Sequence, residues 1–85
     1  MQTFNYTITD ELGIHARPAG LLVKLAAGFK SDIIISKDGK EANAKRIMAL
    51  MSLGATKGTE VTIKVEGPDE GEAAKAVEEF LKANL

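Results

Sequence analysis

"TEVTIKVEGPDEGEAAKAVEEFL", residues 59 to 81, changes its hydrophobic period halfway along. Val61, Ile63 and Val65 alternate with Thr62 and Lys64, so residues 59 to 67 read as a strand with one buried face. Beyond Gly67 the expected buried face is Ala73, Ala76, Val77, Phe80 and Leu81, which is the spacing of a helix with one apolar stripe. Pro68 and Asp69 stand at the switch. Asp69 is the expected cap of the helix, and Glu70 and Glu72 suit the positive end of its dipole. A strand and a helix that each hide one side call for helices layered on a sheet.

The rest of the chain fits that frame. "TFNYTI", residues 3 to 8, alternates, with Phe4, Tyr6 and Ile8 on one face and Thr3, Asn5 and Thr7 on the other. Residues 16 to 27 have helical spacing, with Ala19, Val23 and Ala26 beside Pro18, Leu22, Leu25 and Phe29 as the buried stripe, and Gly28 as the stop. "DIIIS", residues 32 to 36, is a second strand, and Asp38-Gly39 is a tight hairpin signal leading to a short strand at residues 41 to 44. "RIMALMSLG", residues 46 to 54, is a short helix stopped by Gly54. The order is strand, helix, strand, strand, helix, strand, helix. Four strands make a small sheet with helices stacked on one face. The other face, carrying Asn5, Thr7, Thr62 and Lys64, is free to be wet.

Length and composition narrow the function. The 85 residues make one domain, residues 1 to 85, with no internal repeat or linker. A hydrophobic fraction of 45% and a charged fraction of 27% are those of a folded globular chain. There is no cysteine, which excludes a disulfide framework and suits a cytosolic protein. The first residues lack a basic start and an apolar run, so no signal peptide is expected. No apolar stretch approaches the ~20 residues that span a bilayer, so membrane insertion is not expected. A net charge of −1 argues against non-specific nucleic-acid binding.

The charge is nevertheless unevenly placed. Residues 12 to 31 hold Arg17, Lys24 and Lys30 but no acid, and residues 42 to 59 hold Lys45, Arg46 and Lys57 but no acid. Residues 66 to 79 carry six of the twelve acids. If the two basic windows lie side by side, the molecule has a positive pole that steers an anionic ligand or an acidic partner.

The only histidine, His15, lies in the first of these windows, in "GIHARPAG", residues 13 to 20. It sits between a glycine turn and a helix start. A helix start offers unpaired N–H groups and a partial positive charge. Arg17 adds a fork of donors matched to phosphate oxygens, and Pro18 costs little where N–H groups have no helical partner anyway. A nucleophilic imidazole beside a phosphate cradle points to a phosphohistidine intermediate. A lone histidine that merely begins a helix is the bland alternative; its neighbours weigh against that.

Other chemistries find little support. One histidine and no cysteine leave no credible zinc site, and no cofactor is called for. "GATKG", residues 54 to 58, is not a phosphate-binding P-loop, because it opens a strand. With no nucleotide site of its own, the domain needs a partner to bring it a phosphoryl group. The helix from residue 46 supplies a surface for one. Ile47, Met48, Leu50, Met51 and Leu53 occupy most of its circumference, so some must be exposed, and methionine suits adaptable contacts. Gly20, Leu21 and Lys24 lie on Arg17's side of the first helix, away from its core stripe.

"GIHARPAGLLVK" closely resembles the active-site signature of the histidine-containing phosphocarrier family, HPr, of the bacterial phosphoenolpyruvate–sugar phosphotransferase system. "NAKRIMALMSLGATKGTEV" resembles that family's second signature, "VEGPDE" fits its last strand-to-helix junction, and the likeness covers essentially the whole chain. The resemblance implies an α+β open-faced β-sandwich, a four-stranded antiparallel sheet with three helices on one side. It implies that His15 accepts phosphate on Nδ1 from phosphorylated enzyme I and passes it to the A component of a sugar-specific enzyme II. Arg17 and the amides of Ala16 and Arg17 would steady the phosphoryl group. Gly20, Leu21, Lys24, Ile47, Met48 and Met51 match the family's docking surface, and Arg46 lies within it. Transcriptional regulators or metabolic enzymes are further candidate partners, and a monomer is the default.

One departure stands out. In Gram-positive-type members, which share the "IMxxMSLG" pattern, residue 46 is the serine that a dedicated kinase phosphorylates; here it is Arg46. The resemblance therefore implies that this regulatory site is absent, with Ser52 as the fallback acceptor. Arg46 also cannot cap the short helix as serine would, a loss of about 1 kcal/mol. Two alternatives stay open at the level of sequence. One is an HPr-like paralogue in a nitrogen-regulatory or dihydroxyacetone-kinase phosphorelay. The other is a regulatory binding module that is not phosphorylated.

Overall fold

The computed structural model describes residues Met1 to Leu85. The elements are β1 (Gln2–Thr7), α1 (Ala16–Ala27), β2 (Asp32–Lys37), β3 (Lys40–Asn43), α2 (Ile47–Ser52), β4 (Glu60–Glu66) and α3 (Glu70–Asn84). The strands form one antiparallel sheet in the order β1-β4-β2-β3. The order of elements and the open-faced sandwich expected from the sequence are both found. No helix is long and apolar enough to cross a membrane.

The register explains the core. Phe4 pairs with Ile63, Ile63 with Ile35, and Ile35 with Ala42, giving one inward row across all four strands. Tyr6 with Val61, and Val65 with Ile33, form the neighbouring rows. Val61, Ile63 and Val65 are buried, as β4 has neighbours on both edges and helices above. Each fully buried aliphatic side chain of this kind contributes about 1.5–3 kcal/mol. On the other face, the Thr62 hydroxyl donates to Asn5 Oδ1 at 2.9 Å, and Lys64 lies 3.7 Å from Glu41. This is the wet face that the alternation predicts.

Three helices close the inward face. Leu22 and Ala26 from α1, Leu50 from α2, and Ala73, Val77 and Leu81 from α3 are all buried in one core with the strands. Val23 and Leu25 of the expected α1 stripe, and Ala76 and Phe80 of the expected α3 stripe, reach only partial burial at its margin. Asp38 and Gly39 both take positive φ, 49° and 83°, as a two-residue hairpin of the primed type requires.

Asp69 departs from expectation. It precedes α3, but its side chain caps nothing there. Its carboxylate instead accepts the amides of Lys30 and Ser31, each at 2.9 Å, together with the Ser31 hydroxyl. Ser31 is fully buried and packs against Gly67. Asp69 therefore joins the turn between α1 and β2 to the turn between β4 and α3. A carboxylate that could satisfy its own helix satisfies three donors of another segment instead.

The Ser31 hydroxyl first, and the Lys30 amide next, hold the Asp69 carboxyl below its ordinary value. Because the folded value is the lower one, the linked stability is present above about pH 4, the unfolded value, and is lost as pH falls through the folded value. Asp69→Asn should lower the Tm at pH 7, and its difference from the parent chain should shrink steadily as the pH is taken into the acid range. Thermal melts of both chains between neutral and acid pH check this.

Candidate functional site

His15 is the residue immediately before α1, with extended backbone at φ −119° and ψ −177°. Its carbonyl accepts the Ala19 amide at 2.9 Å, the bond that starts the helix. Its ring makes no capping hydrogen bond. The side chain is 36% exposed. The amides of Ala16 and Arg17 fall in the first turn, where N–H groups have no helical partner, and neither donates to any acceptor in the chain. Pro18, the third helical residue, occupies a position whose N–H would also have been free.

An open depression gathers these groups, lined by His15, Arg17, Pro18 and Leu21 of the first helix region and by Ala83 and Asn84 at the end of α3. Arg17 is exposed and takes part in no ion pair. An imidazole and an uncommitted guanidinium line this open space, and the free amides of Ala16 and Arg17 belong to the adjoining first turn of α1. Together they can hold a tetrahedral dianion and form a bond to it.

The loop that delivers His15 is pinned from both sides. Gly13 has φ +65°, and a Cβ there would meet the Ala55 carbonyl oxygen at 2.2 Å and Thr56 Cα at 2.7 Å. The Ile14 amide donates to that same Ala55 oxygen at 3.0 Å. The glycine thus allows both the turn and the close approach to the loop before β4. At the other side, Thr9 and Asp10 donate their amides to the Leu85 oxygen, as does the Thr9 hydroxyl at 3.0 Å.

The apolar and basic residues around the site share one face. A methyl group on Gly20 would sit 3.7 Å from Ile47 Cδ1, so α1 and α2 are in contact there. That spacing would accept alanine, so packing within the chain does not demand the glycine. Leu21, Ile47, Met48 and Met51 are exposed, Met48 to 70%, whereas Leu50 and Leu53 are buried. Of the six bases in the two acid-free windows, Arg17, Lys24, Lys30, Arg46 and Lys57 are exposed. Lys45 instead donates to the Phe29 carbonyl at 3.0 Å, past the end of α1. Arg46 precedes α2 and gives it no side-chain cap, as its chemistry requires.

Three features went unread in the sequence. Asp10 brings an acid to His15, its Oδ2 lying 3.6 Å from Nε2, so the surroundings of the ring are not uniformly positive. Leu12, in the same loop, is 70% exposed. The end of α3 forms one wall of the depression. Asp10 and Leu12 stand within five residues of His15 and were open to local reading; the α3 wall had no local signal.

Fold and site together define a small phosphoryl-carrying domain built around a histidine at a helix start. The family model for the "PTS HPr component phosphorylation site" matches residues 2–83, so the chain belongs to the HPr family. HPr-C-His from Thermoanaerobacter tengcongensis is 43% identical, with a TM-score of 0.93 over 98% of this chain and 93% of that one. A phosphocarrier protein HPr from Bacillus anthracis str. Ames is 41% identical, with a TM-score of 0.88 over 94% and 95%. An HPr dimer from T. tengcongensis is 43% identical, with a TM-score of 0.77 over 98% and 95%. The protein is a phosphocarrier of the phosphoenolpyruvate–sugar phosphotransferase system, working between enzyme I and the enzyme II components.

Gly13→Ala places a methyl group inside the Ala55 backbone at a positive φ, and should cost more than about 1 kcal/mol of stability. A lower midpoint in urea unfolding is the expected result.

Proposed function

We propose that His15 is the phosphoryl acceptor of this carrier and that Arg17, with the amides of Ala16 and Arg17, holds the transferred group. The observation that carries this reading is the exposed, non-capping imidazole beside two free amides at the start of α1. The phosphoryl group arrives on His15 from phosphorylated enzyme I. Arg17 and the helix start meet its charge, and it leaves to the A component of a sugar-specific enzyme II. In this reading the partners carry the rest of the chemistry.

Gly20, Leu21, Lys24, Arg46, Ile47, Met48 and Met51 form the docking face for both partners. An apolar patch ringed by bases suits short-lived complexes with acidic surfaces. Six of the twelve acids fall in residues 66 to 79 and none among these positions. The chain acts as one domain, residues 1 to 85, as a monomer in the cytoplasm, where a protein without cysteine is at no disadvantage.

Arg46 removes the hydroxyl that a serine-directed kinase would modify and fixes a positive charge on the docking face. Incubated with such a kinase and ATP, the intact protein should take up no phosphate, whereas Arg46→Ser should take it up and also gain about 1 kcal/mol of stability from the restored cap. Intact mass and thermal melts read the two effects.

Incubation with enzyme I and phosphoenolpyruvate should add one acid-labile phosphoryl group, measured by intact mass before and after acid treatment. His15→Ala should show no gain. A gain that persists in His15→Ala, or that resists acid as a serine ester would, contradicts the assignment.

A further inference from the structure

Resting on the reading of His15 as acceptor, we propose that Asp10 is a positioning residue for the transfer: its carboxylate holds the proton on Nε2 of His15 and leaves the lone pair on Nδ1. Asp10 Oδ2 lies 3.6 Å from Nε2. The same oxygen accepts the Leu12 amide at 3.0 Å, which closes a local turn around the carboxylate. The Asp10 amide donates to the Leu85 oxygen at 2.8 Å, and its carbonyl accepts the Gly13 amide at 3.0 Å. Gly13 in turn is lodged against Ala55. The acid is therefore tied to α3 on one side and to the loop before β4 on the other, with its free interaction facing the imidazole.

An ionised carboxylate only accepts hydrogen bonds, and a neutral imidazole has one donor and one acceptor nitrogen. At 3.6 Å the contact is longer than a hydrogen bond, and the carboxylate favours an N–H at Nε2 through its charge and its hydrogen-accepting oxygens. The Nδ1 lone pair then forms the bond to phosphorus as the bond from phosphorus to the donor's atom breaks, and that bond's electron pair stays with the donor. The Nε2 proton is retained, and the ring acquires positive charge, which Asp10 faces. Donation to the next partner runs the same steps in reverse. Charges divide across the ring: Arg17 and the amides of Ala16 and Arg17 surround the incoming dianion, and Asp10 lies at the opposite nitrogen. Ala83 and Asn84, the α3 residues lining the depression, carry no charge. A carboxylate that fixes the tautomer of a catalytic imidazole serves the same end in hydrolytic triads.

Asp10→Asn separates this role from that of the turn, because asparagine can still accept the Leu12 amide. Ring-nitrogen NMR of His15 in its neutral form should show mainly the Nε2–H tautomer in the parent and a larger Nδ1–H share in Asp10→Asn. The rate of phosphoryl uptake from enzyme I and phosphoenolpyruvate should fall roughly twofold to fivefold, the scale of one partly exposed ion pair. An unchanged tautomer ratio, or a changed ratio with an unchanged rate, overturns the proposal. The NMR is read on the folded chain, so any loss of stability in the variant does not decide it. His15→Ala, run in parallel, keeps the two readings apart. Uptake in His15→Ala defeats the acceptor assignment itself; no uptake there, with Asp10→Asn matching the parent, defeats only the role of Asp10.

Discussion

Val61, Ile63 and Val65 on the central strand β4 must be covered on one side, and the apolar stripes of α1, α2 and α3 cover them. The row Phe4–Ile63–Ile35–Ala42 runs the full width of the sheet, so all three helices have to lie across the same face. That requirement brings α1 against α2 at Gly20 and Ile47, and sets the end of α3 beside the start of α1. The site is a by-product of this layering. Where α1 begins, its free amides meet solvent at a junction of three segments, and His15 stands there because it is the residue before the first helical turn.

Side-chain polar groups then fasten the connections that the apolar layer leaves loose. Asp69 joins two turns, Lys45 joins the end of α1 to the segment before α2, and the Leu85 oxygen joins the end of α3 to Thr9 and Asp10. Each fastening gathers donors or acceptors that would otherwise be left without partners near the core. Of these, the bonds to the Leu85 oxygen hold the start of the loop that leads to His15.

Function also depends on what the core leaves out. Leu50 and Leu53 turn inward while Ile47, Met48 and Met51 remain at the surface, so a six-residue helix supplies the core and an exposed apolar face at once. Arg17, Lys24 and Arg46 around that face, with the acids of residues 66 to 79 outside it, make the molecule electrically lopsided despite a net charge of only −1.

The elements, their order and their buried faces were legible in the chain, because a period of 2 or 3.6 is a property of neighbouring residues. So was the position of His15 just before α1, with Arg17 in the first turn. The hairpin at Asp38-Gly39 was legible for the same local reason. What Asp69 binds was not, because local propensity proposes a cap while packing offers Lys30 and Ser31, 38 to 39 residues away. The contact of α1 with α2, the wall supplied by Ala83 and Asn84, and the anchoring of Asp10 by Leu85 likewise join residues far apart in sequence. By itself the sequence determined which atoms could react and which faces must be dry. The tertiary structure alone decided which distant groups would surround those atoms, because only the shared burial of three helices on one sheet brings them together.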